Sequence, residues 1–222
     1  MVAAVKQRGF EVLVVDDGSS DQTFDYAKQA GARVIDLSMN LGVGGALQSG
    51  FKYAIRNQFE AIVQIDADGQ HPVDAIELLI ERANTSDSDV VLGSRFLDAN
   101  TKMQISLSRR AAMWILRVVA SRACKTTISD SSSGFRLIRK PLLSHFANAF
   151  PSHYLGDTFE ALVISGRKNY KVIEVPARFQ ERKYGQSSAT SWVSILLIFR
   201  VLIVTTLGLH FQLPEKEDRR AD

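Results

Sequence analysis

Two short runs put carboxylates where an apolar strand should stop. In AIVQIDADGQH, Asp66 and Asp68 stand two residues apart, so an extended backbone sets both side chains on one face, close enough to repel. A cation relieves such a pair. With no His or Cys cluster beside them, oxygen donors favour Mg2+ or Mn2+, which usually complete their shell with water and substrate phosphates. Gln70 adds an amide oxygen, and His71 stands next as a weaker outer partner. In VLVVDDGSSD, Asp16 and Asp17 end an earlier run; carboxylates there either accept N–H groups of a nucleotide base or cap the helix that follows. Spacing alone leaves both open. The run NLGVGGALQSG brings Gly42, Gly44, Gly45 and Gly50 to a helix start, where backbone either approaches a phosphate or packs closely on a sheet. No GK[ST] follows, so it is not a P-loop.

The elements that must hold these residues read as an alternation of strands and helices. Residues 10–16, 33–37, 60–66, 89–93 and 170–176 have strand length and composition, and GFRLI adds another strand-like run. Helical periods fill 21–30, 43–57 and 73–83, and a longer one runs from about Ser106 through Cys124. Strands apolar on both faces belong inside a covered sheet, so the fold class is α/β with a largely parallel sheet. In such sheets ligands sit outside the carboxyl ends of the strands, which points both acid pairs at one crevice.

Composition narrows the classes. The 222 residues carry 27 Lys and Arg against 24 Asp and Glu, a net +3, too small and too spread for a nucleic-acid binder. A single cysteine, Cys124, excludes an internal disulfide and a Cys-based zinc site, and fits a cytoplasmic setting. The opening residues hold no apolar core of a secretory signal. Trp192 to Phe211 is nearly of membrane-spanning length with one charge, Arg200, and a mixed-charge tail follows.

The ordered motifs VVDDGSSDQT, NLGVGGALQSGF, QIDADGQHP, VLGSRF, DSSSGFRLI and ERKYGQSS resemble family 2 glycosyltransferases of the GT-A fold, within them the dolichyl- or polyprenyl-phosphate mannose synthase branch. The resemblance covers about residues 10 to 190. It implies transfer of a hexose, with inversion, from a nucleotide-diphosphate sugar to a polyprenyl-phosphate or related lipid-linked acceptor, with Mg2+ or Mn2+ as cofactor. Carried over by motif, Asp66, Asp68 and Gln70 hold the metal, and Asp16, Asp17, Gly44 and Arg109 join Asp66 in binding the donor. Asp68, Arg95 and Arg182 carry catalysis, and Arg136, Arg182 and Ser187 face the acceptor. The resemblance divides the chain into a GT-A domain over 1–188, an apolar membrane-associating helix over 189–211 and a charged tail over 212–222, placed at the cytoplasmic face of a membrane. Oligomerisation is open, and nucleic acid is not an expected partner.

Two departures from the family pattern stand out. Its members carry a strand and a Pro-x-Tyr-Asn-Glu-like segment before the DDGS strand, where this chain has about ten residues. The expectation is a gap in the sheet between the DDGS and DxD strands. The acceptor-end Lys is missing from Gly185, Gln186, Ser187, Ser188, which leaves the acceptor open to a glycan hydroxyl, with Asp157 and Glu160 as the candidate acid pair, while the short N-terminal segment leaves an inactive, membrane-bound relative as the rival reading. A phospho-receiver domain shares an acid pair at Asp16 and Asp17, an Asp at 66 and a Lys140-Pro141 pair, but not Asp68, the glycine-rich loop or the C-terminal third.

Overall fold

The computed structural model describes residues 1–97, 107–151 and 157–180. Six strands are β1 (Leu13–Asp16), β2 (Arg33–Asp36), β3 (Ala61–Gln64), β4 (Val90–Ser94), β5 (Arg136–Arg139) and β6 (Val172–Pro176). Helices are α1 (Val2–Gln7), α2 (Thr23–Gln29), α3 (Gly42–Arg56), α4 (Ile76–Ser86), α5 (Leu107–Cys124), α6 (Leu142–Asn148) and α7 (Asp157–Arg167), with a 3-10 turn at Val73–Ala75 leading into α4. The strands and helices expected within the described residues are present, α1, α6 and α7 are additional, and the apolar helix expected over 189–211 lies outside the described residues.

The strands form two sheets. β1 and β2 pair in parallel, and a second sheet has the order β3-β5-β4-β6. No strand pairing among the described residues joins them, and they part in the expected interval between the DDGS and DxD strands. β4 and β6 are parallel, whereas β5 runs antiparallel between β3 and β4. The reason lies in the connection. The chain leaves β4 at the end that carries Arg95, and after α5 the 129–134 loop comes back to that end, where Arg95 bonds Asp130. β5 therefore starts there and must run the other way.

Alternate residues of the central strands feed two cores, as a period of two requires. Val90, Leu92, Ile138 and Val172 pack with Phe51, Phe146, Leu162 and Ile164 on the side of α3, α6 and α7. Val91, Leu137 and Val175 pack with Val5, Ile76 and Leu79 on the side of α1 and α4. Both faces of this sheet are covered, so its register is fixed: a slip of one residue would exchange the two cores. Gly93 is required at the centre, because a Cβ there would stand 2.3 Å from the Phe135 ring.

Candidate active site

The segment after β3 turns sharply to bring both carboxylates to the sheet end. Gly69 takes a φ of 80°, which favours glycine, and the Gln70 N–H donates to Asp68 Oδ1 at 3.0 Å. His71 then folds back, so that the Asp66 N–H donates to its Nδ1 at 2.9 Å. That bond places the ring proton on Nε2, which lies 3.6 Å from Asp66 Oδ2. His71 is 4% exposed in its side chain, against 54% for Asp66. Its ring is packed by Phe135 and Phe179, with centroids 5.2 and 5.0 Å away. Burial depresses its pKa below the ordinary 6.5 and outweighs the opposite pull of Asp66 and Asp68. A neutral, caged imidazole thus fixes the main chain of the first carboxylate.

Gly134 comes up against the same carboxylate from the loop before β5. A Cβ at Gly134 would stand 2.9 Å from Asp66 Oδ2, so the absence of a side chain there makes room for the acid. The Gln180 N–H, beyond β6, donates to the Gln70 carbonyl at 2.9 Å and ties down the far side of the turn.

Arg95 follows β4 and meets the same loop. Its Nε and Nη2 donate to the two oxygens of Asp130 at 2.7 and 2.8 Å, Nη2 also reaches Ser132 Oγ at 3.0 Å, and the Arg95 N–H donates to Asp130 Oδ2 at 3.1 Å. The guanidinium lies 5.6 and 5.4 Å from the Phe96 and Phe179 ring centroids. Burial works against its charge, but the Asp130 bonds and the charges of Asp130 and Asp66 more than offset that and hold its pKa above the ordinary guanidinium value. Asp130 is itself held from below. Glu174 of β6 accepts the Ser129 N–H, the Ser129 hydroxyl and the Asp130 N–H, at 2.7 to 2.8 Å. The result is an arginine with fixed charge and direction, near two carboxylates, at one end of one sheet.

The first acid pair is built differently. Asp16 is buried, and its Oδ1 accepts the Ser19 N–H at 3.0 Å. Asp17 Oδ1 accepts the Leu41 N–H at 2.7 Å, and Asn40 Oδ1 accepts the Gly42 N–H at 3.1 Å, at the entry to α3. Gly18 fits here because its φ is 72° and a Cβ would press on the main chain of Met39 and Asn40. Gly44 is buried in the first turn of α3. Neither aspartate caps α2, whose first N–H, at Thr23, donates to Asp21 Oδ1 at 2.9 Å; Asp16 closes the turn to Ser19, and Asp17 ties that turn to the start of the glycine-rich loop.

Arg136 is turned inward. It is 3% exposed and donates to the Thr158 and Ser133 carbonyls, which clamps the SSSG loop to α7 from inside. Arg109 falls in the first turn of α5, with its side chain outside the described residues, as are Arg182, Ser187 and the whole of 181–222. The side chain of Asp157 is outside them too, and Glu160 is buried in α7. Among the described residues no helix is long and apolar enough to cross a membrane.

Asp130, Glu174 and Phe179 are site residues that pattern reading passed over. Glu174 carried a signal, since it is a lone acid in the apolar strand VIEVP; Phe179 carried none.

The two carboxylates and the Gln70 amide would offer an ion oxygen donors alone, which suits Mg2+ or Mn2+. No group of three or more His, Cys, Asp or Glu side chains that could hold an ion occurs among the described residues. An ion here would therefore share its shell with water and the oxygens of a ligand, which is the habit of these metals.

Residues 1–146 match the family model described as Glycosyl transferase family 2. The chain is 28% identical over 189 residues to an undecaprenyl-phosphate mannosyltransferase of Micrococcus luteus, covering 82% of this chain and 77% of that one. It is 30% identical over 192 residues to a dolichol-phosphate mannosyltransferase of Pyrococcus furiosus, covering 83% of this chain and 52% of that one. Among solved structures, glucosyl-3-phosphoglycerate synthase from Mycobacterium tuberculosis, in complex with Mn2+ and uridine-diphosphate-glucose, aligns with a TM-score of 0.59 at 18% identity, covering 88% of this chain and 66% of that one. At that identity the likeness is one of fold, and the fold is GT-A.

Proposed function

The chain belongs to glycosyl transferase family 2, and from that premise we propose that it moves a hexose, with inversion, from a nucleotide-diphosphate sugar to a polyprenyl phosphate or related lipid-linked phosphate. The observation that carries the reading is the meeting of the Asp66 and Asp68 turn with Arg95 at one sheet end. The names of the two mannosyltransferase relatives support the acceptor class.

In the reaction an acceptor phosphate oxygen attacks the anomeric carbon, and the bond to the nucleoside diphosphate breaks with its electron pair going to the departing oxygen. Asp66, Asp68 and Gln70 would hold a divalent cation, which neutralises diphosphate charge when bound. Arg95 presents a guanidinium already aimed by Asp130, so its charge needs little reorganisation as negative charge grows on the leaving group. Its Nε–Nη2 edge is occupied by Asp130, and Nη1 makes no hydrogen bond among the described residues, which suits it to a phosphate oxygen. Asp16, Asp17 and the loop at Gly44 take the nucleoside. A phosphate monoester has its second pKa near about 6, so the acceptor is largely dianionic at neutral pH and needs cationic contacts rather than a general base. Arg182 and Ser187 are assigned to that contact, with the apolar 192–211 segment holding the enzyme at the cytoplasmic face of a membrane.

Transfer from UDP- and GDP-hexoses to polyprenyl phosphate, with and without EDTA, tests the reading. Wild-type activity in Asp68→Ala, or full activity in EDTA, overturns the metal role. Loss of activity in Asp157→Asn with retention in Arg182→Ala moves the acceptor from a lipid phosphate to a glycan hydroxyl.

A further inference from the structure

Helix α5 has a face that the transfer chemistry does not use. Over its 18 residues, LSRRAAMWILRVVASRAC, it carries four arginines and no acidic residue. Its inner side is accounted for: Leu116, Val119, Ala120 and Ala123 pack into the core shared with α7. Its outer side carries Arg110, Trp114 and Arg117, spaced four and three residues apart and therefore on one helical face. All three are exposed, and Trp114, at 64%, is with Tyr26 one of two aromatics left in water among the described residues. Among those residues neither arginine, nor the exposed Arg122 one turn on, forms an ion pair with a carboxylate.

We propose that this face of α5 is a membrane-contact surface, docking on the headgroup layer of an anionic bilayer. A tryptophan bracketed by arginines suits that layer on two counts. The indole is amphipathic and prefers the boundary between water and acyl chain, and guanidiniums pair with lipid phosphates bidentately. A helix positive along its whole length, with no acid to repel the phosphates, is complementary in charge to such a surface and to few others. A site for nucleic acid would need this charge spread over a larger patch than one helix face in a chain of net +3. The inference is independent of the acceptor's identity. Four residues after α5 the chain reaches Ser129 and Asp130, which ties this helix to the reacting sheet end.

The chain has two tryptophans, so Trp192→Phe leaves Trp114 as the sole indole reporter in the full-length protein. Its emission is followed with vesicles of phosphatidylcholine alone and of phosphatidylcholine with about 30% phosphatidylglycerol, including brominated acyl chains, with no acceptor lipid present. The expected result is a blue shift and bromine quenching with the anionic vesicles, weakened by salt. In Arg110→Glu with Arg117→Glu, the partition onto anionic vesicles falls about tenfold or more. Catalysis on a water-soluble short-chain acceptor stays unchanged in that double variant. Vesicle binding that leaves Trp114 emission unmoved assigns attachment to another segment and overturns the proposal. A Trp114 shift that depends on protein concentration without vesicles assigns the face to a second copy and overturns it equally.

Discussion

The carboxylates after β3 and those at the end of β1 belong to the same kind of apolar strand, yet they are held to different degrees. After β3 the turn is closed locally by His71 on the Asp66 main chain and stitched to distant parts of the chain: Gly134 against the Asp66 carboxylate, Gln180 to Gln70, and beside it Arg95 to an Asp130 that Glu174 anchors. At the end of β1 the ties are fewer: Asp16 closes a local turn on Ser19, and Asp17 makes one long-range bond, to the Leu41 N–H just before α3. One end is preorganised by tertiary contacts, which suits charge that must not move during reaction. The other is a loop site, which suits recognition of a flat base. Helix α3 bridges the two: Gln48 donates to the Ala147 and Asn148 carbonyls at the end of α6, and Phe51 packs between the Phe146 and Phe150 rings.

The comparison is sharpest at Arg95. Arg95→Ala should lower kcat by about 10²- to 10³-fold, the cost of removing a preset donor to a developing oxyanion. It also leaves Asp130, with no exposed side-chain surface, without its partner, at a cost of about 3–5 kcal/mol in denaturant unfolding. Phe51→Ala tests the bridge and should destabilise by about 3–5 kcal/mol, as large aromatic truncations in cores do. Because it loosens α3 rather than β4, KM for the donor should rise more than kcat falls. Asp17→Ala should cost about 1 kcal/mol of stability through one lost bond to Leu41 and should raise donor KM with kcat nearly unchanged. Equal losses of kcat in Arg95→Ala and Asp17→Ala would erase the distinction between the two ends.

The strands and the acid pairs were legible because both are local. Alternation and runs such as AIVQI fix a strand wherever it goes, and an Asp after it marks the sheet end. What could not be read is what depends on which segments meet. The reversal of β5 follows from where a loop arrives, not from the composition of GFRLI. Arg136 looked like an exposed cation in a motif, but the partners that turn it inward are carbonyls at Ser133 and Thr158, and a carbonyl has no sequence signature. Asp130 was hidden in a polar loop, since only the approach of Arg95 distinguishes it from its serine neighbours. Glu174 was nearer to legible, because a lone acid in a buried strand must have donors somewhere.

The smallest effect expected lies on α6, beside the bridge. His145 Nδ1 faces the Tyr170 hydroxyl, and burial pushes that phenol's pKa up to about 12, so tyrosine is the donor and a neutral histidine the acceptor. Burial also lowers the His145 pKa below its ordinary 6.5. As pH falls below about 6.5 the unfolded chain takes up the proton before the folded one does, so stability is whole above that pH and is lost progressively toward the folded value. His71 adds to the slope in the same direction. The midpoint of urea unfolding should therefore fall between pH 6.5 and 5, and His145→Gln should flatten part of that fall. The change should leave kcat alone, because nothing in the His145–Tyr170 contact reaches Arg95 or the Asp66 turn. A slope unchanged in His145→Gln would place the whole pH response at the reacting end, and the bridge would then carry no titrating contact.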